Sequence, residues 1–320
     1  MNLIGRLLVV VGAAASQPLA AAYAEPSPPV YSIVVENDVF GGSDERYTSG
    51  IKHQWLSAEG KGVRLARLFL RASDGEVVRY GVGAGQSIFT PEEIAVAAPQ
   101  PGERPYAGWL YLEAQSVVER RGGATDSLKI AAGVVGPASL AENAQRTLHR
   151  TLNFIDPAGW DNQLRNEPGL LISFDRQWRA GFSERFELRP HAGASLGNVL
   201  TEARGGAIFR VGSNLGSDGL PARNGPARPA AGAHGATGFS WQIFAGGQAR
   251  AVAQNIFLDG NTFRDSLSIG KKTIVGEIEA GFAVRAGRVS LGYNHVWRSR
   301  EYDGEPGGQD FGAVTVSAAF

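Results

Sequence analysis

The chain has 320 residues, with 31 basic and 31 acidic side chains, 43 glycines, no cysteine and a single methionine. Balanced charge excludes a basic field for nucleic acid. The lack of cysteine excludes disulfide scaffolds, thiolate metal sites and cysteine nucleophiles, leaving His/carboxylate metal sites and calcium open.

Residues 1–24 read as a secretory signal peptide, with Arg6 as the basic start, Leu7 to Ala15 as the apolar stretch, and Ala22-Tyr23-Ala24 as a cleavage site before Glu25. The competing reading, a membrane anchor, fails on length: the apolar run breaks at Gln17, short of the roughly 20 residues a spanning helix needs. The rest, 25–320, reads as one domain. It contains no helical membrane span, so it is either a soluble exported protein or a barrel whose strands hide their hydrophobicity by alternating it.

Segments with apolar side chains at every second position follow at 31–40, 47–57, 77–89, 107–119, 127–135, 169–180, 184–198, 205–214, 238–255, 272–286, 288–300 and 310–320. From Glu184 to Asn198, Phe186, Leu188, Pro190, Ala192, Ala194 and Leu196 share one face, and Arg185, Glu187, Arg189 and His191 the other. The segment from Gly169 repeats this, apart from Arg176 on the apolar face. Inward glycines such as Gly81, Gly83 and Gly85 leave room in a narrow lumen. A soluble sandwich would alternate equally well. The C-terminus favours the barrel, because Gly312, Val314, Val316, Ala318 and the terminal Phe320 form an apolar face ending in an aromatic, as outer-membrane barrel sorting signals do. The expected fold is all-β: a twelve-stranded antiparallel transmembrane β-barrel with a helix in a long extracellular loop.

With an even strand number and a periplasmic N-terminus, the extracellular loops are 41–46, 90–106, 136–168, 199–204, 256–271 and 301–309. The longest is expected to hold a helix, with Ser139 and Glu142 as a capping box and Leu140, Ala144, Leu148 and Leu152 as an apolar stripe. Glu142, Gln145 and His149 fall together on an adjacent face. The glycine- and arginine-rich stretch Gly216 to Gly238 reads as a mobile periplasmic connection, with 58–76 as a second long loop at that end.

Polar groups converge on the extracellular end: Glu36-Asn37-Asp38, Tyr47-Thr48-Ser49, Gln86 and Thr90, Arg104-Pro105-Tyr106-Ala107-Gly108-Trp109, and Gly159-Trp160-Asp161-Asn162-Gln163. Singly, each has a plain explanation. Asn37 and Asp38 suit a turn, Thr48 a strand, and His149 an exposed helix face. Tyr106, Trp109 and Trp160 suit an interfacial belt, and Arg104 a lipid phosphate. Only their conjunction points to a site.

That conjunction, together with Gln145-x-x-x-His149, resembles the outer-membrane lipid A 3'-O-deacylase family over essentially the whole mature chain. The resemblance implies an enzyme of the bacterial outer membrane, a carboxylic ester hydrolase, and the chain is expected to act as a monomer. It would use Ca²⁺ to remove the 3'-linked acyloxyacyl chain of lipid A in lipopolysaccharide at the outer leaflet. Asn37, Asp38, Thr48, Gln145 and His149 match its catalytic positions, with His149 as general base. On chemical grounds Asn37 would donate to the oxyanion, Asp38 would orient the histidine or the water and Thr48 would position either, with attack by water preferred to an acyl-enzyme on Ser49. Asp156 is the nearest match to the acidic residue linked to calcium. The family also uses a lysine on the third strand, where this chain offers only Arg79. The competing classes are an inactive lipid-A-binding member and a channel or structural barrel.

Overall fold

The alternation is realised as one continuous antiparallel sheet. The computed structural model describes residues 27–38, 49–62, 64, 69–215, 219–224 and 238–320, so the signal segment 1–24 and Thr48 lie outside the described residues. The strands are β1 (Val30–Asn37), β2 (Ser49–Leu56), β3 (Val77–Phe89), β4 (Ala107–Glu119), β5 (Thr125–Val135), β6 (Glu167–Gln177), β7 (Ala180–Ser183), β8 (Phe186–Leu196), β9 (Leu200–Gly212), β10 (Phe239–Asn255), β11 (Ile274–Ala286), β12 (Val289–Arg298) and β13 (Gln309–Ala319). β1 pairs with β13 and β6 with β8, which closes the sheet. The four-residue β7 prolongs β6 past Trp178-Arg179, so the 13 segments make twelve staves. The β5–β6 loop marks the upper end of the barrel.

Burial runs opposite to that of a water-soluble protein. Leu112 and Leu196 are 70% and 67% exposed, whereas Glu187 and Arg210 are 1% and 0% exposed. A chain displays leucine and hides charge only where its surroundings are hydrocarbon, which excludes the soluble sandwich. No helix among the described residues is long and apolar enough to cross a membrane, so the strands do the crossing. The outward Arg176 is reconciled with this environment by the buried Asp126, whose two oxygens accept from it at 2.6 and 2.7 Å.

Size complementarity fills the lumen. Gly81, Gly83 and Gly85 of β3 stand opposite Gln115, Glu113 and Tyr111 of β4. A Cβ at Gly85 would lie 2.5 Å from the Tyr111 ring, so the missing side chains accommodate the long ones. Paired charges cross the remaining space. Arg250 reaches Glu202 at 2.7 Å and Glu277 at 3.2 Å, Arg298 reaches Glu277 at 2.8 Å, and Arg204 holds Asp175 through two nitrogens at 3.0 and 2.6 Å. Such pairs are favourable in a low dielectric only when their hydrogen bonds are complete.

Within the β9–β10 connection, the described residues 219–224 differ from the expected mobile loop. They enter the lumen from the lower end. Lys52 Nζ donates to Arg223 O at 2.7 Å, Thr315 Oγ1 donates to Ala222 O at 2.9 Å, and the Asn224 amide donates to Glu36 Oε1 at 2.7 Å. Composition alone suggested mobility because it contains no term for the polar lumen that satisfies this backbone. The expected loop at 199–204 is also corrected: β9 begins at Leu200, leaving a short turn after β8.

Candidate active site on the outer wall

The β5–β6 loop forms a 3-10 turn, Pro137–Ser139, followed by helix α1 (Ala141–Leu152). The expected capping box is absent. Leu140, in the left-handed region at φ 59°, is the N-cap, with no side-chain cap. Ser139 instead packs against the barrel, and Glu142 pairs with Arg146 at 2.9 Å, away from the buried face.

Polarity on α1 is inverted, as it is on the barrel. Ala141, Gln145 and His149 are buried, while Leu152 of the predicted stripe is 50% exposed. Leu140, Leu148 and Leu152 of the stripe therefore face away from the protein, Ala144 packs against the cluster of Ile88 and Trp160, and Gln145 and His149 pack inwards.

Gly108 makes this docking feasible. A Cβ there would lie 2.1 Å from Ser139 Oγ and 2.2 Å from Ala141 Cβ. Beside it, Gln86 Nε2 donates to Ser139 O at 2.7 Å. Gly108 is in step with the exposed Leu110 and Leu112, whereas Trp109, Tyr111 and Glu113 point inwards. Helix α1 thus lies against the outer wall of β3 and β4 rather than over the barrel mouth.

The motif aromatics and Arg104 hold the helix and its flanking loops in place. Trp160, fully buried, donates from Nε1 to Gln145 Oε1 at 2.8 Å and packs on Tyr106 with ring centres 4.9 Å apart. Gly159 permits that approach, since a Cβ would meet the Tyr106 ring at 2.5 Å. Tyr106 donates to Ile94 O at 3.1 Å, and burial pushes its hydroxyl up to about 12, so it remains a donor at physiological pH. Arg104 is buried between Phe89 and Tyr302 and pairs with Glu301 at 3.3 Å. Burial favours a neutral Glu301, but the Arg298, Arg104 and Arg250 charges outweigh it and hold the carboxyl below its ordinary range. Tyr106, Trp109 and Trp160 are therefore not belt aromatics, nor does Arg104 reach lipid phosphate.

His149 Nδ1 lies 2.5 Å from Ile155 O. A carbonyl only accepts, so Nδ1 carries the proton and Nε2 of the neutral ring is left as the acceptor, the tautomer a general base requires. Phe154 meets the ring edge-on at 5.7 Å.

The first two staves reach this region through strand register. Asn37 stands opposite Ser49, Ser49 opposite Ile88, and Ile88 opposite Gly108, so one row runs along the outer face from β1 to the helix docking point. Ile88 packs with Ala141 and Trp160. Asn37 is two strand spacings from Ile88, about 10 Å. It faces outwards because its neighbour Glu36 accepts from the lumenal Asn224. Asp38 follows, fully buried. Ser49 shares the face of Asn37. Gln86, read from the sequence only as one of the converging polar groups, is in step with outward Val82 and Ala84 and takes a docking role. Arg79, the basic residue on β3, is at the lower end, donating to Ser57 O and Pro28 O at 2.7 Å each.

Asp156 is exposed and engaged by Arg146 at 3.4 Å and Arg150 at 3.6 Å. Calcium takes six to eight oxygens, and among the described residues no three His, Asp or Glu side chains stand together as a metal cluster. The donor set around Asp156 therefore does not fit the ion.

A closed inside-out barrel with a polar-faced helix against its upper wall defines an outer-membrane protein, with its candidate site residues on the wall that meets lipid. The chain matches the family described as outer membrane protein LpxR over residues 7–320 and belongs to that family. Among solved structures it is similar to LpxR from Salmonella typhimurium, with a TM-score of 0.74 and 17% identity over 91% of this chain and 100% of that one. It is also similar in fold to the β domain of the Bordetella autotransporter BrkA, with a TM-score of 0.50 and 10% identity over 92% and 99% of the two chains. No curated protein matches. The family is one of lipid A-modifying proteins of the outer membrane.

Proposed function

We propose that this chain is a lipid A 3'-O-deacylase that hydrolyses the 3'-linked acyloxyacyl ester at the outer leaflet. The observation that carries the reading is His149, a buried imidazole on the inner face of an otherwise lipid-facing helix, with Nδ1 held by Ile155 O. Nε2 takes the proton of a water molecule as that water attacks the ester carbonyl. The Asn37 side chain, on the same outer face, supplies an amide donor for the oxyanion. Asp38 orients the water or the imidazole, Thr48 positions one of them, and Gln145 fixes α1 through Trp160. Hydrolysis at the wall suits a substrate that never leaves the bilayer, since an acyl chain reaches the site laterally along the exposed stripe of α1.

Mass spectrometry of lipid A from cells with and without the protein tests this. The expected result is loss of the 3'-acyloxyacyl mass with wild type and its retention with His149→Ala. The donors around Asp156 do not fit the ion, so the calcium requirement implied by the resemblance is tested separately: turnover unchanged by a chelator agrees with that misfit, and loss of turnover restored by Ca²⁺ places the ion on other oxygens. One observation favours a second reading, binding without cleavage: the polar side chain of β3 beneath the helix is the neutral Gln86, not a lysine. Bound lipid A of unchanged mass would support that alternative. The filled lumen disfavours a channel.

A further inference from the structure

We propose that Tyr293, His295, Trp297 and Asp310 form a second subsite on the outer wall that binds the saccharide headgroup of the lipid substrate. The subsite rests on the deacylase reading, in which the substrate is a glycolipid. The strand register supplies the place. His295 of β12 is opposite Gly312 of β13, and Gly312 is opposite Asn37 of β1. The cluster therefore continues the row that leads from Asn37 to the helix, two strand spacings, about 10 Å, on the other side of Asn37.

These side chains face outwards, because Asn294 and Val296 between them are fully buried while Leu291 and Trp297 are 48% and 47% exposed. Tyr293 OH is 3.2 Å from His295 Nδ1, His295 Nε2 is 3.3 Å from Asp310 Oδ2, and the His295 and Trp297 rings are 4.3 Å apart. Apolar residues frame the group: Ile278 and Phe282 on β11, Val314 and Val316 on β13. An interfacial belt accounts for a tyrosine and a tryptophan there. It does not account for a carboxylate and an imidazole on a wall that meets lipid, where ionisable groups are costly and mark function.

The chemistry selects the ligand. The Asp310 carboxylate repels a phosphate and accepts from hydroxyl or amide groups. Tyr293 and His295 add polar partners, and the exposed Trp297 indole offers an apolar face to ring C–H groups. Gly312, without a side chain, keeps the wall low between this cluster and Asn37. A sugar headgroup resting across Gly312 would present its acyl ester towards Asn37 and the helix.

The test uses full-length protein in a sugar-free detergent such as lauryldimethylamine oxide, with heat-modifiable gel mobility confirming a folded barrel. His295→Gln and Asp310→Asn are assayed on lipid A and on a p-nitrophenyl acyl ester, which carries no saccharide. Lost hydrogen bonds to a charged group predict a KM for lipid A raised roughly ten- to hundredfold. The change for the saccharide-free ester is expected to be at least about tenfold smaller. Equal losses on the two substrates, or an unaltered KM for lipid A, overturn the proposal. In parallel, lipid A and dimyristoyl phosphatidylglycerol are titrated into His149→Ala protein with and without Asp310→Asn. A weaker Kd for lipid A alone supports the subsite, and equal affinity overturns it. If wild type fails to turn over while this selective loss persists, the deacylase reading falls and the subsite stands. If turnover is normal and the Asp310 variant binds normally, only the subsite falls.

Discussion

The lumen and the outer wall under α1 both bury polar side chains, but they treat them differently. In the lumen, Glu277 alone receives Arg298 at 2.8 Å, Arg250 at 3.2 Å and Arg223 at 3.5 Å, and the plug segment 219–224 hydrogen-bonds to β1, β2 and β13. Under the helix, His149 is anchored at one nitrogen and keeps the other as an acceptor, while the buried Ser139 Oγ and Gln145 Nε2 have no hydrogen-bond partner among the described residues. Several arginines on one carboxylate lock the lumen, whereas an imidazole held at a single nitrogen leaves capacity for a ligand where the surrounding packing enforces its position. Here Gly108, Gly159 and Trp160 do the enforcing.

Substitutions on either side of that contrast separate chemistry from architecture. His149→Ala should lower deacylation by about 10²- to 10⁴-fold while leaving gel mobility and unfolding unchanged; near-normal turnover would remove the imidazole from the mechanism. Glu277→Gln should do the reverse. Stripping a shared partner from three lumenal arginines is expected to cost on the order of 3–5 kcal/mol in urea unfolding, with activity per folded molecule within about twofold of wild type. Gly108→Leu should act between these extremes, because the side chain collides with Ser139 and Ala141. Displacing α1 by about an ångström predicts a roughly 10²-fold loss of turnover from an assembled barrel, and full activity would show that the helix need not seat on β4. The smallest effect is expected from Gln145→Ala, which removes the Trp160 hydrogen bond. It should lower helix stability by about 1 kcal/mol, visible as faster hydrogen exchange across 141–152, with at most a roughly fivefold drop in rate by the same conversion.

The barrel was legible because period two is a local property of the chain. Phe186 to Leu196 and Gly312 to Phe320 reveal their outward faces without any partner, and the glycines of β3 already imply bulky neighbours. The site was legible only as a collection. Asn37, His149 and the Arg104-to-Trp109 motif were readable as residues, but not which surface of the barrel they occupy. Capping chemistry pointed to Ser139 as the helix start, yet packing against Gly108 overrode it. Composition made 216–238 a loose loop, and the lumen ordered at least 219–224.

By itself, then, the sequence determined the number of staves, which side of each meets lipid, and the residues available for chemistry, since all three follow from alternation and residue type along a single strand. Tertiary structure decided that the imidazole sits outside the barrel rather than within it, that Gln86 holds the turn before the helix, and that Asn37 and His295 share one row. Those relations depend on register between strands far apart in the chain, and a shift of one residue would turn each of these side chains to the opposite face.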